Sequence, residues 1–247
     1  MKSSDLIKHL TESGLMPKEE MLEIAKGEQS LFIGIPKETA LQENRVALVP
    51  DSVGLLVNNG HRVLIESNSG EAANFTDKDY SEAGAEIAYE SKEVYKANII
   101  IKVAPPTLAE IELLNAVQKQ ILFSALQISS QPKDCIKELM KKKVTGIAYD
   151  FIKDREGVYP IVRSMSEIAG NTSILIAAEL LSNANGGHGV MMGGIPGVKP
   201  TEVVILGSGG VGEFAARAAL GLGANIKLFD DESHKLRRTL NNLGQRV

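Results

Sequence analysis

Residues 201–235 read "TEVVILGSGGVGEFAARAALGLGANIKLFDDESHK". An apolar run, Val203–Leu206, leads into Gly207-Ser208-Gly209-Gly210-Val211-Gly212 and then into the helix-like "EFAARAAL". This is G-x-G-x-x-G placed where it has a physical use, between a strand and a helix. Gly207 permits the tight turn, Gly209 lets backbone amides approach a pyrophosphate, and Gly212 lets the helix pack against its strand. The helix start favours the phosphate charge. A second apolar run, "NIKLF", ends at Asp230, 18 residues past Gly212. An acid there accepts hydrogen bonds from adenine-ribose hydroxyls and repels a 2′-phosphate. NAD is therefore expected over NADP. With no G-K-[ST] ending, the loop is not of the Walker type.

Upstream, from Leu31, strand-like "LFIGI", "HRVLIE", "NIIIKV", "QILFSAL" and "VTGIAYD" alternate with helix-like "DSVGLLVNNG", "DKDYSEAG", "LAEIELLNA" and "KDCIKELMKK". Short apolar strands alternating with surface helices imply a mostly parallel sheet covered on both faces. The expected fold is α/β, with two parallel-sheet domains, the second an incomplete Rossmann-type dinucleotide-binding domain. Residues 1–30 read as an N-terminal helical extension and 31–162 as a substrate-side domain. Residues 163–200 read as a linking helix and a glycine-rich loop, and 201–247 as the first part of the nucleotide domain. Ser164 or Ser166 is the expected cap of the linking helix, with Glu167 in its first turn. The loop "NANGGHGVMMGGIPGVKP", with six glycines and two prolines, is expected to be irregular.

Composition narrows the classes. The net charge of -4 offers no basic footprint for nucleic acid. The short runs "KELMKKK" and "HKLRR" read as solvated faces and helix ends. One cysteine, Cys135, and four histidines give neither a disulfide framework nor a clustered metal site. There is no long uncharged apolar run and no secretory leader, so a cytoplasmic protein without membrane partners is expected.

Four stretches taken together, "IGIPKETALQENRVALVP", "SMSEIAG", "GVMMGGIPGV" and "VVILGSGGVG…GLGANIKLFD", resemble the alanine dehydrogenase / pyridine nucleotide transhydrogenase family. Their wording is nearer to alanine dehydrogenase, and the resemblance covers about residues 31–247. It implies a two-domain enzyme, usually a homo-oligomer, that oxidises L-alanine with NAD and water to pyruvate, ammonium and NADH. The substrate class is a small 2-amino or 2-oxo acid. By the resemblance Arg45 holds the substrate carboxylate, a task suited to a planar guanidinium fork. Met165 matches a pocket methionine. Ser166, Gly207, Gly209, Gly212, Asp230 and Lys235 fall at cofactor positions.

Two departures stand out. The family's K-V-K-E-P stretch is "KVAPP" here, so Ala104 occupies the reactive lysine's position and Lys102 matches the earlier lysine. The family's catalytic histidine position holds Gln127, which hydrogen-bonds but does not titrate near neutral pH. Proton transfer would then fall to Lys102 or Asp150. Two readings stay open: an alanine-dehydrogenase-like oxidoreductase, or a non-catalytic NAD(H)-binding homologue, including a transhydrogenase-alpha-like protein. Because the family pattern extends well past Val247, the 247-residue form is expected to be truncated and inactive on alanine by itself.

Overall fold

A computed structural model describes residues 30–115 and 119–244; the expected helical extension lies outside these residues apart from Ser30. Among the described residues eight strands follow in order: β1 (Phe32–Ile35), β2 (Arg62–Glu66), β3 (Glu86–Ala88), β4 (Ile99–Ile101), β5 (Ile121–Ser124), β6 (Thr145–Ala148), β7 (Glu202–Leu206) and β8 (Asn225–Phe229). The helices between and after them are α1 (Pro50–Asn58), α2 (Asp77–Glu82), α3 (Ser91–Val94), α4 (Leu108–Leu113), α5 (Lys133–Lys142), α6 (Pro160–Leu181), α7 (Gly210–Gly221) and α8 (Ser233–Leu243). Six strands form one sheet in the order β3-β2-β1-β4-β5-β6, and β7 pairs with β8 in a second. The pairings of β1 with β2 and β4, of β2 with β3, and of β7 with β8 are all parallel. The fold class is thus the α/β arrangement read from the sequence. No helix among the described residues is long and apolar enough to cross a membrane.

The chain divides into two compact units that do not follow it linearly. Of the described residues, the first contains those through Val103 with those of Ala109–Leu122 and Leu139–Thr145. The second contains Ala104–Leu108, Phe123–Glu138 and the described residues from Gly146.

In the first unit the core is Ile33, Ile35, Val53, Val63, Ile65, Tyr80 and Ala85, the inward residues of β1 and β2 with their covering helices. Tyr80 is fully buried but keeps its hydroxyl satisfied, donating to the Leu48 carbonyl at 2.9 Å. Burial pushes its phenol up to about 12. Strand order reverses between β1 and β4, and at such a switch point the strand ends deliver side chains to one crevice. Glu38 follows β1 and Lys102 follows β4 directly, so topology brings them together.

The second unit is built on β7, β8 and α6–α8, with Ile174, Met192, Ala215, Ala216, Ala219, Ala224 and Ile226 as its core. Small residues let α6 and α7 approach closely. A Cβ on Gly170 would stand 2.5 Å from the Val211 carbonyl oxygen and 2.8 Å from the Ala215 nitrogen. The glycine-rich loop is irregular, as expected, yet it is anchored: Met192 is buried in the core, and its carbonyl accepts from Thr201 N–H at 3.1 Å.

One local reading is corrected and one strand is added. The linking helix begins at Pro160, with Tyr159 as its N-cap, rather than at Ser164 or Ser166. Proline is pre-set for the first helical position and has no N–H to leave unsatisfied. The two serines are interior and donate back along the helix, Ser164 Oγ to Pro160 O at 3.0 Å and Ser166 Oγ to Val162 O at 2.9 Å. Strand β3 was not foreseen, because its three residues carry too little apolar pattern and pairing with β2 alone defines them. The two basic runs lie largely on exposed helix faces and ends, as expected, and two of their side chains also reach neighbouring carbonyls. Lys142 Nζ donates to the Glu112 and Leu114 carbonyls at 2.7 and 2.9 Å, satisfying oxygens at the end of α4, and Arg238 of "HKLRR" contacts the glycine loop.

Candidate functional site

In the first unit the candidate residues form two charge groups. Lys102 is 1% exposed, and its ammonium lies 2.8 Å from Glu110 Oε1 and 3.1 Å from Glu38 Oε2. Glu38 also accepts from Val103 N–H at 2.6 Å, and Glu110 from Thr39 Oγ1 at 3.1 Å. A buried ammonium costs heavily unless paired and hydrogen-bonded, and here it has both. It faces two carboxylates instead of open solvent.

Arg45 lies on the loop after β1. Its Nε and Nη2 clasp the Glu43 carboxylate at 2.7 and 2.6 Å, and its own N–H donates to Glu43 at 3.1 Å. That fork, chiefly through its side-chain hydrogen bonds, holds the Glu43 carboxyl below the usual carboxylate range. The guanidinium is about half exposed while Glu43 is largely covered, so the acid supports the arginine from beneath. A cavity of about 240 Å³ opens here, lined by Lys37, Glu38, Glu43, Arg45, Asn68 and Glu71. Arg45 lines that cavity; Lys102 does not, and is linked to it through Glu38.

In the second unit Ala104 is buried, while Gln127 is exposed with φ 43°, a left-handed conformation that is uncommon for a non-glycine residue. Gln127 N–H donates to Asp150 Oδ2 at 3.3 Å. The other carboxylate oxygen of Asp150 is buried and has no hydrogen-bond partner among the described residues.

The glycine loop has the geometry its sequence calls for. Gly207 has φ 101°, a region L side chains avoid. A Cβ at Gly212 would sit 1.9 Å from the Gly207 carbonyl oxygen, so only glycine lets the first turn of α7 fold under the loop. Gly209 caps α7 without a side-chain bond to its amides, and a Cβ there would meet nothing within 4 Å. Asp230 follows β8 directly and reaches back to the loop. Its Oδ2 accepts from Ser208 N–H at 2.6 Å and from Ser208 Oγ at 3.1 Å, and its Oδ1 accepts from Glu232 N–H at 2.8 Å. The Ser208 amide, then the Glu232 amide, hold this carboxyl far below its ordinary range. The carboxylates of Asp230, Asp231 and Glu232 lie within 4.8 Å of one another. Lys235 is ion-paired to Glu232, which raises its ammonium above the usual value.

Met165 is partly exposed on α6, and Ser166, one residue on, lines a cavity of about 330 Å³ with Tyr159, Arg163, Gly210, Glu213 and Arg238. Glu213, Arg238 and Asn242 escaped the sequence reading. The available signal was Glu213 itself, an acid three residues from the buried Ala216 on a helix whose packed face is otherwise alanine and glycine.

The N-terminal domain model of alanine dehydrogenase/PNT matches residues 34–169, and the C-terminal domain model matches 173–247. The chain belongs to the alanine dehydrogenase/PNT family. Among its relatives, the alanine dehydrogenase of Methanococcus maripaludis is 44% identical over 207 residues, covering 83% of this chain and 55% of that protein. A solved L-alanine dehydrogenase superposes with a TM-score of 0.78 at 40% identity, over 87% of this chain and 59% of that one. A transhydrogenase from Sinorhizobium meliloti, 23% identical with a TM-score of 0.70, covers 86% of this chain and 60% of that one and shares the fold. This member of the family therefore spans little more than half the length of the relatives it matches.

Proposed function

We propose that the chain is an NAD-binding, alanine-dehydrogenase-like protein whose substrate is a small 2-amino or 2-oxo acid. The observation that supports this most is the glycine loop joined to Asp230. The loop leaves backbone amides at an uncapped helix start with open space over Gly209, which fits a pyrophosphate. Asp230 fits an adenine ribose, and three clustered carboxylates oppose a 2′-phosphate. The working division assigns 31–162 to the substrate side, 163–200 to the link and 201–247 to the nucleotide side. A homo-oligomer is carried over from the resemblance; light scattering tests it.

The reaction proposed is L-alanine, NAD and water giving pyruvate, ammonium, NADH and a proton. NAD, when bound, supplies the hydride acceptor. Arg45 pairs with the substrate carboxylate, its guanidinium plane set by Glu43. Met165 borders the substrate, and Ser166 and Lys235 contact the cofactor. Gln127 orients water without exchanging a proton. Since Lys102 is enclosed by Glu38 and Glu110, Asp150 beside Gln127 is the group left to exchange protons. The second reading, a non-catalytic or transhydrogenase-alpha-like NAD(H) binder, is supported by Ala104 and by the enclosure of Lys102.

Titration with NADH and NADPH, followed by assay of NADH formation from L-alanine, tests both. NADH is expected to bind at least about tenfold more tightly than NADPH, a difference of ~1.4 kcal/mol. Turnover that is lost in Asp150→Asn and raised in Ala104→Lys/Gln127→His supports the oxidoreductase. Binding without turnover on any 2-amino or 2-oxo acid, assayed in a chain as long as the relatives, selects the second reading, and absence of NADH binding sinks both.

A further inference from the structure

Ser208, in the middle of the glycine loop, is held at both ends by opposite charges. Its N–H donates to the Asp230 carboxylate at 2.6 Å, and its carbonyl accepts from Arg238 Nη2 at 3.2 Å. The first contact joins the loop to β8, and the second joins it to α8. A trans peptide is planar, with C=O and N–H pointing in opposite directions. Whatever holds the Ser208 carbonyl therefore fixes the direction of the Gly209 N–H. Sterics supply little restraint at this point, because a Cβ at Gly209 would meet nothing within 4 Å.

Arg238 is itself seated. Its Nε lies 3.5 Å from Glu213 Oε2, and Glu213 Oε1 accepts from Asn242 Nδ2 at 2.8 Å. The Glu213 side chain is 8% exposed and the Arg238 side chain 52%, so a buried carboxylate on α7 anchors a guanidinium reaching along the surface. The rigid arginine fork can serve Glu213 with one nitrogen and the Ser208 carbonyl with another.

We propose that Arg238, seated by Glu213, is a positioning residue that sets the direction of the Gly209 amide and thereby the loop's affinity for a pyrophosphate-bearing dinucleotide. The inference rests on the dinucleotide reading above. Arg238 acts through the peptide: Asp230 and Arg238 together prevent rotation of the Ser208 unit, and the amide is aimed before any ligand arrives.

The test uses Arg238→Met in a Glu213→Gln background, so that no buried carboxylate loses its cation, with Arg238→Lys as the conservative variant. Affinities for NADH, ADP-ribose and adenosine are measured alongside the thermal midpoint and the Gly209 amide order parameter without ligand. NADH and ADP-ribose are expected to bind about tenfold more weakly. Adenosine, which meets Asp230 but has no pyrophosphate, should change less than about twofold, on the same affinity scale. The Gly209 order parameter should fall toward the flexible range, below about 0.6, and Arg238→Lys should recover part of both losses. Unchanged dinucleotide affinity, an unchanged order parameter, or an equal loss for adenosine would overturn the proposal. If the unaltered chain binds no NADH, the dinucleotide reading fails and this inference with it. That outcome is distinct from NADH binding that ignores Arg238.

Discussion

The Glu38–Lys102–Glu110 cluster and the Ser208–Asp230 loop use the same ingredients to opposite ends. In the first, an ammonium and two carboxylates are almost wholly enclosed, and each finds its partner within the protein. In the second, the carboxylate is partly exposed and meets chiefly backbone amides beside a bare glycine turn. Charges that satisfy each other out of water make architecture, because disturbing them strands a partner in a poorly solvating interior. A carboxylate held by amides at an open loop stays ionised and within reach of a ligand's hydroxyls. Position in the sequence pattern does not separate these cases, since both lie at carboxyl ends of parallel strands.

The most direct way to break this comparison is Lys102→Met. It takes the Lys102 ammonium away from the enclosed Glu38 and Glu110, and the expected loss is about 3–5 kcal/mol, read from the urea midpoint. Adding Glu38→Gln and Glu110→Gln should recover much of it. An unchanged midpoint in the single variant would remove the architectural role of the cluster. Gly212→Ala comes next. The new methyl group meets the Gly207 carbonyl oxygen at 1.9 Å, so about 1–3 kcal/mol of stability should go, and with it NADH binding. Wild-type affinity in that variant would mean the loop tolerates a shape quite unlike the one described.

Asp230→Asn sharpens the other side. Its expected effect on the urea midpoint is the smallest of the three, while NADH binding weakens about tenfold and the preference over NADPH shrinks. The acid limb gives a further check. Because the folded carboxyl is held below its unfolded range, near 3.9, its contribution is present above that pH. It is lost only as pH falls through the depressed folded value. The Asp230 carboxyl signal in an NMR titration should therefore stay that of the ionised form at pH 3, and an ordinary midpoint near 3.9 would contradict the loop contact.

Much of the fold was legible because short-range pattern determines it. "NIIIKV" marked β4, "DSVGLLVNNG" marked α1, and the spacing from Gly207 to Asp230 marked a strand–turn–helix–strand unit. Strand β3 was not legible, since Glu86–Ala88 has almost no pattern of its own and exists by pairing with β2. The cap of α6 was read five or seven residues late because serine's capping preference outweighed a proline at Pro160. The roles of Arg238 and Lys142 were hidden in basic runs, where composition records charge but not the carbonyl each side chain reaches.

By itself the sequence determined the α/β class, the glycine turn and the family, because each depends on residues close in the chain or on motifs in fixed order. Tertiary structure decided which charges are spent and which remain available. Lys102 lies 64 residues from Glu38, and Arg238 lies 30 from Ser208. Pairing energies depend on ångström distances and on burial, and folding alone sets both.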